Sequence, residues 1–247
     1  MKNNTQCKGQ IPRDIEVLIL AGGLGTRIRT VLGDTPKLLA PIRNKTFLDF
    51  IISWLQGFGV PRLLLCIGYL SEKIIDHVSK LDLQGMSIET SIETECLGTA
   101  GAIRGAVKLI RSNEILVLNG DTWVEADLSD FCLDHRRSKA EISILCVEVS
   151  DVSRYAYVEL DSEDFIERYF EKKPSNKGPG IISAGIYLFS NLGLNRLMDS
   201  KGASLEVDFF QNLPKGVVRG YLASSGKFVD IGTPETLRVL DDVLPNY

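Results

Sequence analysis

The chain has 247 residues, 44% hydrophobic and 24% charged, with a formal net charge of −4. This composition suits one large α/β domain or two small ones with a proper core, and the lack of a Lys/Arg block speaks against a nucleic-acid partner. No apolar run approaches the roughly 20 residues that span a bilayer, and the polar residues 1–14 lack the apolar stretch of a signal peptide.

Those first residues read as a flexible arm, with a single domain over 15–247. Glu16–Leu20 is a short apolar run ending in Gly22-Gly23, the pattern of a buried strand entering a loop. Thr46–Phe58 carries Phe47, Phe50, Ile51, Trp54, Leu55 and Phe58 at helical spacing before Gly59 stops it. Arg62–Ile67 reads as a second buried strand. Ser71 suits a helix cap for Glu72–Leu81. A strand over Met86–Ile92, a helix over Thr99–Ile110 and a strand over Glu114–Leu118 follow, the last running into Asn119-Gly120-Asp121. Leu128–Arg137 looks helical. Ile142–Val149, Tyr157–Leu160 and Ile181–Phe189 are further strands, and 172–180 is a loop. Strands alternating with helices imply βαβ units and a mixed, mostly parallel sheet flanked by helices. Ligands of such sheets bind at the carboxyl ends of strands, so the loops after Leu20, Leu118 and Val229 are the places to look.

The five cysteines (Cys7, Cys66, Cys96, Cys132, Cys146) are scattered. They show neither zinc spacing nor a disulfide framework, which fits a reducing cytoplasm. Asp76-His77 and Asp134-His135 each fall in an expected surface helix. Adjacent helical residues do not face each other, so neither is read as an acid–base pair.

The first loop reads Leu20-Ala21-Gly22-Gly23-Leu24-Gly25-Thr26-Arg27. Its glycines let the backbone approach a ligand, and their N–H groups can cradle phosphate oxygens. Arg27 adds a planar fork suited to phosphate. Ile28 breaks the dinucleotide fingerprint, and no Gly-Lys-Ser/Thr makes a Walker loop. Pro36-Lys37 can return a second cation to the same phosphates. Asp121 and Asp230 stand at the ends of expected strands, where two carboxylates can hold one Mg²⁺.

Leu20 to Lys37 resembles the signature of the sugar-nucleotide pyrophosphorylases, nucleotidyltransferases with L-A-G-G-x-G-T-R followed by P-K. Leu118-Asn119-Gly120-Asp121 and Asp230-Ile231-Gly232-Thr233-Pro234-Glu235 match two further family motifs. The resemblance implies a Rossmann-like domain in which Arg27, Lys37 and Asp121 are catalytic. Leu20, Ala21, Gly22, Gly23, Gly25 and Thr26 would wrap the nucleoside triphosphate. Glu93 to Gly101 is similar to the base-reading segment, so Glu93, Gly98 and Thr99 join the nucleotide site, with Thr99 also able to cap the helix that follows. Phe170-Glu171-Lys172 resembles the segment whose lysine binds the sugar 1-phosphate and whose glutamate meets the sugar. Asn119, Gly120, Tyr155, Ser183 and Gly185 complete that side. The chain departs from the family at Ser183, where asparagine is common, and at Ala156, where glycine is. Both departures bear on which sugar is taken.

The short layout is most similar to the family's guanylyltransferases for D-glycero-α-D-manno-heptose 1-phosphate, which serve surface polysaccharide synthesis. Uridylyltransferases for N-acetylmuramate or hexose 1-phosphate, mannose 1-phosphate guanylyltransferases and a non-catalytic regulatory subunit are the alternatives. GTP is favoured because a carboxylate at Glu93 can accept from both guanine donors at once. Mg²⁺ is the expected cofactor. The expected partners are a nucleoside triphosphate and a sugar 1-phosphate, with no nucleic acid and no membrane. A homo-oligomer is as compatible with the sequence as a monomer.

Overall fold

The computed structural model describes residues 9–172, 175–224 and 227–244, with 241 and 242 as backbone alone. In chain order the elements are β1 (Ile15–Ala21), α1 (Arg29–Leu32), β2 (Pro41–Ile42), β3 (Lys45–Thr46), α2 (Phe47–Gly57), β4 (Arg62–Ile67), α3 (Ser71–Ser79) and β5 (Ser87–Ile92). Then come α4 (Gly98–Ala106), β6 (Glu114–Asn119), β7 (Thr122–Val124), α5 (Leu128–Ser138), β8 (Ile142–Val149), β9 (Tyr157–Leu160) and β10 (Ile166–Phe170). The chain closes with β11 (Gly180–Phe189), α6 (Asn191–Asp199), β12 (Val218–Leu222), β13 (Phe228–Asp230) and α7 (Pro234–Val243).

The centre of the main sheet is parallel, in the order β5-β4-β1-β6. β11 lies antiparallel against β6, and β8 and β9 lie antiparallel against β11. The sheet is thus mixed, with the expected parallel centre. Both its faces are covered. Val17 and Ile19 face one core with α2, whereas Leu18 faces a second core with α4 and α6. That is the two-residue alternation of a strand buried on both sides.

Local chemistry explains the helix ends. Thr46 and Asp49 form a reciprocal capping box at the start of α2, which satisfies two backbone donors. Gly59 adopts φ +73° just after that helix. Ser71 is not a cap. It is the first residue of α3, and Leu70 before it takes a left-handed turn without a side-chain cap bond. The helix expected over Thr99–Ile110 stops at Ala106 and tightens into a 3₁₀ turn through Leu109. Of the arm expected at 1–14, residues 1–8 lie outside the described residues. Ile11 is buried, and its N–H donates to the Phe58 carbonyl. Among the described residues no helix is long and apolar enough to cross a membrane.

The two histidines depart from their surface reading. His77 Nε2 donates to Asp49 Oδ1, 2.7 Å away on α2. His135 is buried, with Nδ1 2.7 Å from the Ser143 hydroxyl. Their partners lie on other elements, so neither adjacent Asp–His couple acts as a pair, as expected, whereas the surface placement fails for the buried His135. Burial pulls the His135 imidazole below its ordinary value of 6.5. The folded chain therefore holds it neutral, while the unfolded chain protonates it as pH falls below 6.5, so stability is lost on acidification. Denaturant titrations at about pH 7 and about pH 5 should show this loss in the wild type and a smaller one in His135→Gln. Equal losses would remove His135 from the acid sensitivity.

Candidate active site

Three strand ends make the site. β1 and β6 approach so closely at their carboxyl ends that the Gly120 N–H donates to the Leu20 carbonyl at 2.8 Å. A methyl group on Gly120 would lie 2.7 Å from that same oxygen, so only glycine fits. The loop from Gly22 to Arg27 leaves β1 above this contact and walls a cavity of about 310 Å³. Leu20, Ala21, Gly22, Gly23, Gly25, Thr26 and Arg27 all line it. Lys37, Glu93, Gly98, Thr99, Asn119, Gly120 and Asp121 line its other walls.

Glu93 sits just after β5, its N–H donating to the Ile67 carbonyl at 2.7 Å. The Leu97 N–H donates to Oε2, while Oε1 is buried without a protein partner. Burial holds the carboxyl above the usual glutamate range. A buried acceptor with nothing to accept from calls for a donor from a ligand. Asn119 Oδ1, on the wall between this cavity and the next, is likewise buried and unpartnered. Thr99 does not cap α4. Its hydroxyl accepts from the Leu205 N–H at 2.8 Å and donates to Glu206 at 3.1 Å. Gly98 has φ +71°, and a methyl there would lie 2.5 Å from the Ala203 carbonyl oxygen.

Lys37 stands at the start of a 3₁₀ turn after Pro36, and its Nζ lies 2.7 Å from Asp121 Oδ2. Asp230 reaches the same place through an antiparallel ribbon of β7 and β13, in which it pairs with Thr122. The Ile231 N–H then donates to the Asp121 carbonyl at 2.8 Å. Asp230 Oδ1 accepts the Gly232 N–H at 2.7 Å, and Oδ2 accepts the Tyr155 hydroxyl at 3.2 Å. Asp121 and Asp230 are oxygen donors of the type a hard divalent cation prefers. Among the described residues no group of three or more His, Cys, Asp or Glu side chains comes together to hold a metal. A hard cation held by these two carboxylates alone would take its remaining ligands from phosphate oxygens and water.

A second cavity of about 690 Å³ adjoins the first and shares Arg27, Asn119 and Asp121 with it. Its shape follows from a bulge in β11 between Ser183 and Ile186. Ahead of the bulge β11 pairs with β9, and beyond it with β6. The change of partner opens a gap. Gly185, at φ +72°, fits under Asn119 and Thr122, where a methyl would come within 2.8 Å of Asn119 Nδ2. Tyr155, Glu171, Lys172, Ser183, Gly185 and Asp230 line this cavity. Sequence reasoning missed its other wall. Glu206 accepts from Tyr187, Thr99 and Ser204 at 3.1, 3.1 and 3.0 Å, so its carboxylate is fixed in place. The available signal was two acids, Glu206 and Asp208, alternating with apolar residues just after Ser204.

A larger opening of about 850 Å³ lies at the amino ends of the central strands, among paired charges such as Arg136 and Glu114. None of the candidate residues reaches it. The buried thiols of Cys66, Cys132 and Cys146 are pushed up to about 12 and are chemically quiet, whereas Cys96 lines the first cavity.

Residues 16–242 match the family model described as nucleotidyl transferase. The D-glycero-alpha-D-manno-heptose 1-phosphate guanylyltransferase of Campylobacter jejuni is 36% identical over 221 residues, covering 90% of this chain and 96% of the relative. The protein of the same name from Aneurinibacillus thermoaerophilus is 32% identical, over 94% of this chain and 100% of the relative. The crystal structure of HddC from Yersinia pseudotuberculosis superposes with a TM-score of 0.81 at 34% identity, covering 92% of this chain and 98% of that one. A crystal structure of HddC complexed with GMP-PN superposes equally well.

The Gly98 geometry gives a direct test. Gly98→Ala forces a positive φ on a residue with a Cβ and drives that carbon into the Ala203 carbonyl, so it should destabilise the fold by at least about 1 kcal/mol. Thermal unfolding of the variant checks this. An unchanged midpoint would show that α4 can start elsewhere.

Proposed function

The chain belongs to the nucleotidyl transferase family, and on that premise we propose that it transfers a guanylyl group from GTP to D-glycero-α-D-manno-heptose 1-phosphate. The products are GDP-heptose and pyrophosphate. The observation that carries the reading is the shared wall. A cavity built on a glycine loop and a cavity built on the β11 bulge meet at Arg27, Asn119 and Asp121. Two substrates lying in them would bring a phosphate oxygen of one against the α-phosphorus of the other.

The reaction is an in-line displacement. An oxygen of the sugar 1-phosphate forms a bond to the α-phosphorus, and the bond from that phosphorus to the β-phosphate bridging oxygen breaks. The electron pair leaves with pyrophosphate. The nucleophile is already ionised at neutral pH, so no general base is required. What the chain supplies is position and charge. The backbone N–H groups of the Gly22–Arg27 loop cradle the triphosphate. Arg27 and Lys37 hold charge that develops on it. Lys172 takes the phosphate of the sugar and Glu171 a sugar hydroxyl. Asp121 and Asp230 would hold the divalent cation, in our reading Mg²⁺, which supplies charge neutralisation and orientation of the phosphates.

The unpartnered Glu93 oxygen favours guanine, whose N1–H and 2-amino group offer two adjacent donors. Uracil offers one donor between two acceptors and would leave a carboxylate oxygen facing an acceptor. We place the enzyme in the cytoplasm, where nucleoside triphosphates are made and where the free, unpaired thiols are at home.

The decisive experiment measures pyrophosphate release with each of the four nucleoside triphosphates against a panel of sugar 1-phosphates. GTP with the manno-configured heptose 1-phosphate should lead. Glu93→Gln should lower the preference for GTP over UTP by about 1–3 kcal/mol, because one donor loses its ionised partner. A wild type that turns over UTP or CTP better than GTP would overturn the base assignment and leave the transferase assignment standing.

Asp121→Ala should reduce turnover by at least ~100-fold at saturating Mg²⁺ while the thermal midpoint stays close to wild type. Retention of more than half the wild-type rate would remove Asp121 from the reaction.

A further inference from the structure

The far wall of the second cavity carries a group that the reaction above does not use. Tyr169, on β10, is 8% exposed, and its ring packs against Phe210 with centroids 5.5 Å apart. Tyr187 packs on the same Phe210 at 5.2 Å. The two phenols thus flank one ring, and both line the cavity together with Ser183 and Glu206. Their hydroxyls are in different states. Tyr187 donates to Glu206 Oε1 at 3.1 Å. The Tyr169 hydroxyl is buried and has no well-formed hydrogen bond, although the Ser183 hydroxyl beside it is close enough to act on it.

A buried hydroxyl without a partner destabilises a fold, and phenylalanine at this position would give the same packing without it. The polar oxygen needs another reason. The cavity beside it supplies one, because it is the space assigned above to the sugar 1-phosphate. Burial and the nearby Glu206 carboxylate hold the phenol well above its ordinary range, so it stays protonated and can donate. Glu206, pinned by its three donors, is an oriented acceptor on the same wall. A donor and an acceptor side by side are the complement of a sugar hydroxyl, which both accepts and donates.

We propose that the Tyr169 hydroxyl, with Glu206 beside it, is a specificity contact that reads one hydroxyl of the sugar 1-phosphate. Tyr169 becomes paired when the sugar binds. A sugar lacking that hydroxyl leaves the buried Tyr169 hydroxyl unpaired, and it is rejected for that reason rather than by shape. The proposal rests on the function given above.

Tyr169→Phe removes the oxygen alone. In the pyrophosphate-release assay, kcat/KM for the best sugar 1-phosphate should fall roughly 3- to 10-fold, the range of one neutral hydrogen bond. The loss should appear in the KM for the sugar, with the KM for GTP unmoved. Across a panel of deoxy sugar 1-phosphates and mannose 1-phosphate, which lacks the seventh carbon, one analogue should be turned over equally by wild type and variant. That analogue lacks the hydroxyl that is read. The thermal midpoint of the variant should be equal to or above wild type. An active wild type with an unchanged variant, a loss shared equally with GTP, or a lowered midpoint each overturns the Tyr169 role and leaves the function intact. A folded wild type inactive on the whole panel overturns the function and this proposal together.

Discussion

The pairing of Lys37 with Asp121 spans 84 residues of chain at 2.7 Å and ties three separate segments to one point. Lys37 arrives on the turn after the glycine loop, Asp121 on the end of β6, and Asp230 joins through the ribbon of β7 and β13. The pair is only partly buried, so it adds little to stability by itself. Its importance is geometric. It can form only if β1 and β6 are neighbours in register, and that requires Gly120 to have no side chain against the Leu20 carbonyl. The glycine loop, the carboxylates Asp121 and Asp230 and the shared cavity wall all inherit their positions from that contact.

The same pairing shows how the site is kept ready. A lysine and a carboxylate that neutralise each other can stand together at a strand end without ligand. Incoming phosphates offer the lysine a second anion, and a cation offers the aspartate a second partner. On the proposed function, the charges need no large movement to change company, which is the low reorganisation that electrostatic catalysis depends on.

Much of this was legible in the sequence where short-range rules act. The strands over Arg62–Ile67, Ile142–Val149 and Tyr157–Leu160 follow from apolar runs bounded by turns. The glycine loop and the two carboxylates were legible as short motifs that resemble those of the family. β10 was not legible because a bulge after Ile166 breaks its alternation, leaving Glu167 and Arg168 both exposed between buried Ile166 and Tyr169. The helix at α6 was obscured by Gly193, which is there because any side chain would strike the Glu141 carbonyl. Glu206 and the buried state of His135 depend on contacts with distant elements, and no local pattern carries those. Thr99 shows the limit most directly: a good capping residue at a helix start whose hydroxyl is claimed by residues more than a hundred positions away.

The bulge in β11 has an architectural consequence. The hairpin of β9 and β10, which presents Tyr169 and leads into Glu171 and Lys172, is joined to β11 by the pairs Ile181–Val158 and Ile182–Tyr157. The strands under the glycine loop are stitched by five or six pairs each. The far end of the hairpin is held as well, by the bridge between Phe165 and Arg219 and by the Gly220 N–H, which donates to the Asp164 carbonyl at 2.8 Å. The hairpin is thus clamped at both ends, so Tyr169 stands on a braced span whose side chains keep a fixed aim into the second cavity.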